Sequence, residues 1–147
     1  MLPKRELPPP ILAIARYLEQ CEDVAAAYLF GSQAKGTGRE KSDIDVAVLF
    51  YNQKDKLSRF DRRVEMIIDL ERAVGRKVDI VDMEEAPLML RHQILKNGIL
   101  LVNKKPTYRV SFEVKSRRAF FDLRPVLLRR GRQMIARVLE GKQNDGQ

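Results

Sequence analysis

The chain has no tryptophan, one cysteine and one histidine among 147 residues. A single cysteine, Cys21, excludes an intramolecular disulfide, and without a Cys cluster a zinc site of that kind is excluded too. The lone histidine, His92, cannot build a His-rich metal centre, and no Ser or Cys nucleophile is paired with it. No uninterrupted apolar run approaches the roughly 20 residues a membrane span requires. The opening "MLPKRELPPPILAIARYLEQ" lacks the order of a signal peptide: its apolar run is short, and Arg16 and Glu19 follow soon after. Together these absences lead us to expect a soluble, cytoplasmic protein in a reducing compartment. Two common phosphate-binding fingerprints are also missing. "GSQAKGTG" lacks the G-K-[ST] ending of a Walker A loop, and no G-x-G-x-x-G occurs.

What is present points to one globular domain. The apolar share of 44% with 8 Gly and 7 Pro suits a packed core, and the length is enough to bury one. The formal charge of +8 is unevenly distributed. Residues 1–103 carry as many acidic as basic side chains, whereas residues 104–147 hold 12 basic and 4 acidic ones. An excess confined to one end suits either an acidic partner or nucleic acid, and equally a solvated helix face.

Periodicity divides the chain into nine elements. "PPPILAIARYLEQ" predicts a helix with Ile11, Ile14, Ala15 and Leu18 on one face, its prolines tolerated in the first turn. Val24 to Phe30 reads as a strand, "GSQAKGTG" as a turn with a short helix from Ser32, and Asp43 to Phe50 as a second strand. Leu57 to Val74 suits an amphipathic helix whose apolar side is Leu57, Phe60, Val64, Ile67, Ile68 and Leu70, stopped by Gly75. Lys77 to Met83 is a third strand. Pro87 to Asn97 is a helix closed by Gly98, and "ILLVN" is a fourth strand. Thr107 to about Gly141 is helical, with Pro125 expected to kink or break it. The order α-β-α-β-α-β-α-β-α predicts an α/β or α+β fold with one short mixed sheet flanked by helices.

The second strand raises a chemical question, because Asp43 and Asp45 interrupt it. Alternate strand residues share a face, so the two carboxylates point the same way and repel. A divalent cation offsets that repulsion, and Mg²⁺ favours a few carboxylates with waters and substrate phosphates. Gly31 and Ser32 lie just before, where glycine allows close backbone approach to a phosphate and Ser32 adds a hydroxyl and a backbone donor. Lys35, Arg39 and Lys41 in the same connection can neutralise phosphate charge. A third acid is wanted if two metals are to be held. "KVDIVDM" offers Asp79, within the apolar run, and Asp82, nearer the strand end. We assign Asp79 to the site and expect a solvated or capping role for Asp82.

"FGSQAKGTGREKSDIDVAVLF" followed by "KVDIVDM" resembles the polymerase-beta-like nucleotidyltransferase superfamily, whose signature is G-S, D-x-D and a distant third Asp. The form "SDIDVAV", the run "APLMLRHQILKNGILLVN" and the C-terminal "RVSFEVKSRRAFFDLRPVLLRRGRQMIARVLEG" look most like the minimal nucleotidyltransferases. The resemblance runs from about Val24 onward. It implies a nucleotidyltransferase core at 1–103 with a basic C-terminal helical extension at 104–147. It also implies that Asp43, Asp45 and Asp79 bind two Mg²⁺ ions, that Asp79 favours deprotonation of the attacking hydroxyl, and that Gly31 and Ser32 hold the triphosphate of ATP. In that family setting many members are antitoxins that transfer AMP to a tyrosine of a HEPN-domain RNase toxin.

Other readings of the same residues stand beside this one. Arg117, Arg118, Arg124, Arg129, Arg130, Arg132 and Arg137 suit contact with RNA phosphates, as acceptor or as the ligand of a non-catalytic module. Transfer to a small molecule such as an aminoglycoside is a third. Tyr108, Phe112, Phe120 and Phe121 resemble a base-stacking set, but their helical spacing favours a core or an interface. His92 and Cys21 are expected to be packing residues.

Overall fold

The computed structural model describes residues 7–36 and 42–145, with side chains to residue 141. Its elements are α1 (Pro9–Gln20), β1 (Val24–Phe30), α2 (Gly31–Lys35), β2 (Ile44–Phe50), α3 (Lys56–Val74), β3 (Val78–Asp82), α4 (Leu88–Asn97), β4 (Ile99–Asn103) and α5 (Pro106–Asp145). The nine-element order expected from periodicity is the order found. The strands form one sheet in the order β3-β2-β1-β4. β1 is antiparallel to both β2 and β4, and β2 is parallel to β3, so the sheet is mixed.

Each face of the sheet has its own apolar layer. Ile44, Val46, Val48, Phe50, Val78 and Ile80 face α1 and α3, where Ile11, Ile14, Leu18, Met66 and Leu70 meet them. Ala26, Tyr28, Ala47 and Leu49 face the other way, against Met83, Ile94 of α4 and Phe112 of α5. The alternation along β2 therefore fixes the side on which its acids emerge, because residues of odd and even number leave the sheet on opposite faces. Among the described residues no helix is long and apolar enough to cross a membrane.

Two expectations are corrected here. The apolar side drawn for α3 packs only in part: Leu70 is buried and Ile67 packs against the core, but Leu57 and Phe60 are 66% and 51% exposed, and Val64 and Ile68 are exposed too. Beside Leu70 the helix buries Met66 and Arg59, and Arg59 is drawn inward by an ion pair that periodicity does not register. Pro125 does not break the last helix, since α5 runs through it from Pro106 to Asp145. Beyond about Phe120 this helix is no longer held to the core, and Phe121, Leu128, Met134, Ile135, Val138 and Leu139 are exposed. A helix without close neighbours can tolerate the lost donor and the displaced turn around proline.

The first third of α5 is firmly anchored. Tyr28 donates its hydroxyl hydrogen to Glu113 Oε1 at 2.7 Å, and Arg109 Nη1 donates to the same oxygen at 2.8 Å. Burial and then the Glu113 carboxylate hold the Tyr28 phenol well above its ordinary pKa. His92 stacks on Phe120 with ring centroids 3.7 Å apart, and Cys21 is buried with its thiol on the Tyr17 carbonyl, so both are packing residues as expected.

Candidate active site

The acids gather where β1 ends and α2 begins. Phe30, the last residue of β1, pairs with Asp45 of β2, and Asp45 pairs in turn with Asp79 of β3. The third acid, Asp43, lies one residue before β2 begins. Side-chain parity puts Asp45 on the face that carries α4, and parallel register puts Asp79 beside it on that face. Asp43 is exposed, with Lys77 Nζ 3.9 Å from its Oδ2. Asp79 is exposed as well, contrary to the expectation that it sits inside an apolar run, since Val78 and Ile80 turn to the opposite face.

Asp45 carries the electrostatic consequence. Its pKa is raised, first by partial burial and then by the charges of Asp79 and Asp43. The charges of Asp79 and Asp43 thus act on Asp45, to which no described basic side chain is bonded. Around them the backbone is pinned. Ile44 N–H donates to the Lys77 carbonyl at 3.0 Å, and Arg76 Nη2 donates to the Ser42 carbonyl at 2.5 Å. The connection entering β2 is thereby tied to the one entering β3.

Gly31 has two reasons to be glycine. Its φ of +72° is in the left-handed region that side chains disfavour. A Cβ at this position would also lie 2.5 Å from Asp45 Oδ2. The missing side chain is therefore the space into which the Asp45 carboxylate fits. Sequence reasoning anticipated close approach to a phosphate here and did not anticipate close approach to Asp45. Ser32 follows in the first turn of α2 and Lys35 in its last turn, where Lys35 is exposed. Arg39 and Lys41 lie outside the described residues.

Asp82 departs from the solvated role expected of it. It is 2% exposed and accepts from Arg59 Nε at 2.6 Å and from the Glu84 N–H at 3.0 Å. The capping part of the expectation holds, and the solvent part is replaced by a buried ion pair. Arg59 Nη1 also donates to the carbonyls of Gln53 and Lys54, each at 2.9 Å. Sequence reasoning missed Arg59; its only signal was an arginine one helical position from an apolar stripe.

The donor set is entirely carboxylate oxygen, which suits a hard cation such as Mg²⁺. Among the described residues no three acidic, His or Cys side chains close on a single ligating point. An open arrangement fits an ion that keeps most of its ligands as water and phosphate oxygens, and the mutual repulsion at Asp45 is what such an ion would relieve.

The chain is similar to several known proteins. The protein adenylyltransferase MntA of Shewanella oneidensis is 38% identical over 71 residues, 48% of each chain, so the match spans about half of that relative. A toxin–antitoxin crystal structure with AMP-PNP superposes with a TM-score of 0.62 at 28% identity, covering 92% of this chain and 96% of the other. A structure of the tri-AMPylated Shewanella oneidensis HEPN toxin in complex with MNT antitoxin gives 0.55 at 27% identity, covering 86% and 89%. The family profile for polymerase beta nucleotidyltransferases matches residues 13–107, from α1 to the start of α5 and across all three acids. This chain belongs to the polymerase beta nucleotidyltransferase family.

Proposed function

We propose that the protein is a Mg²⁺-dependent adenylyltransferase that moves AMP from ATP to a tyrosine hydroxyl of a HEPN-domain RNase toxin, and so acts as its antitoxin. The observation that carries this reading is the register pair Asp45–Asp79, with Gly31 packed against Asp45. The similarity to a named protein adenylyltransferase and to toxin–antitoxin complexes supports the choice of acceptor.

Asp43, Asp45 and Asp79 would hold the metal. Bound Mg²⁺ neutralises triphosphate charge and withdraws charge from the leaving pyrophosphate. The chain's own groups do the rest. The left-handed turn at Gly31 and the backbone of Ser32 position the triphosphate, and Lys35 balances its charge. Asp79 takes the proton from the tyrosine hydroxyl as its oxygen bonds to the α-phosphorus. The bond from that phosphorus to the bridging oxygen breaks, and pyrophosphate leaves with the electron pair. Positioning and charge complementarity supply most of the rate, as is usual in phosphoryl transfer.

We assign residues 1–103 to this chemistry and residues 104–147 to partner binding. The outer part of α5 combines exposed apolar residues with arginines, as in the patch of Phe121, Leu128, Arg124 and Arg132. Aromatic and aliphatic anchors among arginines suit a protein interface with acidic character. Binding through buried apolar contacts survives moderate salt, whereas binding to RNA phosphates weakens steeply with salt.

The test is intact mass spectrometry of the protein incubated with ATP, Mg²⁺ and the product of the neighbouring gene. A gain of AMP mass on a tyrosine of the partner, lost with Asp45→Asn, is the expected result. Pyrophosphate release with no protein modified would overturn the acceptor and direct attention to RNA ends and small molecules.

A further inference from the structure

The sheet does not hold the three acids equally. Asp45 lies within it, paired with Phe30 of β1 on one side and with Asp79 of β3 on the other. Asp43 comes one residue before β2, and its side chain is exposed. Its position therefore depends on the two peptide groups that flank it. The N–H after it, on Ile44, donates to the Lys77 carbonyl at 3.0 Å. The carbonyl before it, on Ser42, accepts from Arg76 Nη2 at 2.5 Å. Both anchors belong to the connection between α3 and β3. That connection is itself fixed. Gly75 turns the chain at φ +67° and its N–H donates to the Glu71 carbonyl at 2.9 Å, while Val78 N–H donates to Glu71 Oε1 at 3.1 Å. Arg76, half-buried, thus reaches back from a braced turn to a residue 34 positions earlier.

We infer that Arg76 is the positioning residue for Asp43: by holding the Ser42 carbonyl, it keeps the Asp43 carboxylate close enough to Asp45 for both to serve one metal site. The inference rests on the nucleotidyl-transfer reading above and adds a residue that touches neither substrate nor metal. Arginine suits the task. Its guanidinium is always charged, rigid and weakly hydrated, so it gives a strong hydrogen bond to a carbonyl from a half-buried place. Lys77, one residue on, is exposed and holds Ile44 through its backbone carbonyl alone. The sign of the effect on metal binding separates positioning from simple charge. A positive side chain repels a cation, so charge alone predicts that removing Arg76 tightens metal binding. Positioning predicts the reverse. Groups that orient metal ligands typically contribute about ten- to a hundredfold in metal affinity.

The experiment follows binding of Mn²⁺, as a probe for Mg²⁺, by loss of the free-ion spin-resonance signal. It compares the wild type with Arg76→Met, Arg76→Lys and Lys77→Ala. The Mg²⁺ dependence of pyrophosphate release is measured beside it at saturating ATP. Arg76→Met should weaken Mn²⁺ binding about tenfold. The Mg²⁺ concentration for half-maximal rate should rise by a similar factor, with a smaller change in kcat. Lys77→Ala removes a neighbouring charge and leaves the carbonyl to Ile44, so it should hold or tighten Mn²⁺ binding. Arg76→Lys keeps the charge and loses the fork. It should weaken binding severalfold, and it decides the matter if Arg76→Met does not fold. Unchanged or tighter binding in both Arg76 variants overturns the inference, as does equal weakening in Lys77→Ala. A raised KM for ATP with Mn²⁺ binding intact also defeats it, by placing Arg76 on the nucleotide. A wild type that takes up no Mn²⁺ removes the metal site and the inference with it. The two proposals fail separately. Mn²⁺ binding that depends on Arg76 without any AMP transfer would overturn the enzyme and leave the positioning role. AMP transfer with Mn²⁺ binding indifferent to Arg76 would do the reverse.

Discussion

Strand β3 carries two aspartates three residues apart, and the sheet treats them in opposite ways. Asp82 points toward α3, is shut away from water and is bonded to Arg59. Asp79 points to the α4 face, stays exposed and stands beside Asp45. One acid has its charge answered by the fold. The other adds its charge to Asp45, whose pKa is raised first by partial burial and then by the charges of Asp79 and Asp43. Acids that a fold satisfies serve stability, whereas acids held close without compensation stand ready for a charged ligand.

The sharpest way to break the comparison is at Asp45. Asp45→Asn should lower the transfer rate by at least about a thousandfold, as expected for removal of a group that acts on charge in the transition state, while the melting temperature holds or rises. The pH dependence has a definite sign. Because the folded-state pKa of Asp45 is raised above its unfolded value, the stability linked to it is fully present below the ordinary Asp range. That stability is lost as pH rises through the raised value. Thermal melts across this window in EDTA should show the decline, and Asp45→Asn or added Mg²⁺ should flatten it. A variant that turns over at the wild-type rate would remove Asp45 from the site.

On the other side of the sheet the effects should fall on folding. Arg59→Met leaves the buried Asp82 carboxylate without its partner, which costs about 3–5 kcal/mol when one member of such a pair is deleted. Urea titration measures it, and a loss below about 1 kcal/mol would contradict the burial. Asp82→Asn should likewise act on stability first, with the rate per folded molecule kept within a few-fold. An Asp82→Asn protein that is fully folded and inactive would exchange the roles of the two acids.

A smaller effect, felt in both properties, belongs to Gly31. Gly31→Ala forces a side chain into a left-handed backbone, a strain of about 1–3 kcal/mol, and displaces the Asp45 carboxylate. We expect a stability loss of that order, read by thermal denaturation, with a rate reduction of about ten- to a hundredfold. Smallest should be Lys77→Ala. The Lys77–Asp43 pair is 3.9 Å apart and well exposed at both ends, and exposed pairs contribute about 0–1 kcal/mol. Melting should scarcely change. A large loss of activity in this variant would give Lys77 a role toward the nucleotide.

Much of this was legible in the chain. Apolar patterning located the strands and the longer helices, while the short α2 was read from the turn at Gly31 and Ser32. The alternation of Asp43 and Asp45 suggested a shared face; strand parity places Asp45, whereas Asp43 lies one residue before β2. Other features required partners that periodicity cannot name. The packing side of α3 was misjudged in part, because an arginine was buried in place of the apolar Leu57 and Phe60, and only the location of Asp82 makes that favourable.

The sequence by itself therefore determined the strands, the helices, the set of acids and the glycine turn beside them, since these follow from side-chain chemistry at short range. Tertiary structure decided which acid meets which. The parallel pairing of β2 with β3 set Asp45 beside Asp79, and the same pairing turned Asp82 inward onto Arg59. Both outcomes come from one register. A strand shifted by a single residue would present the opposite set of side chains to each face.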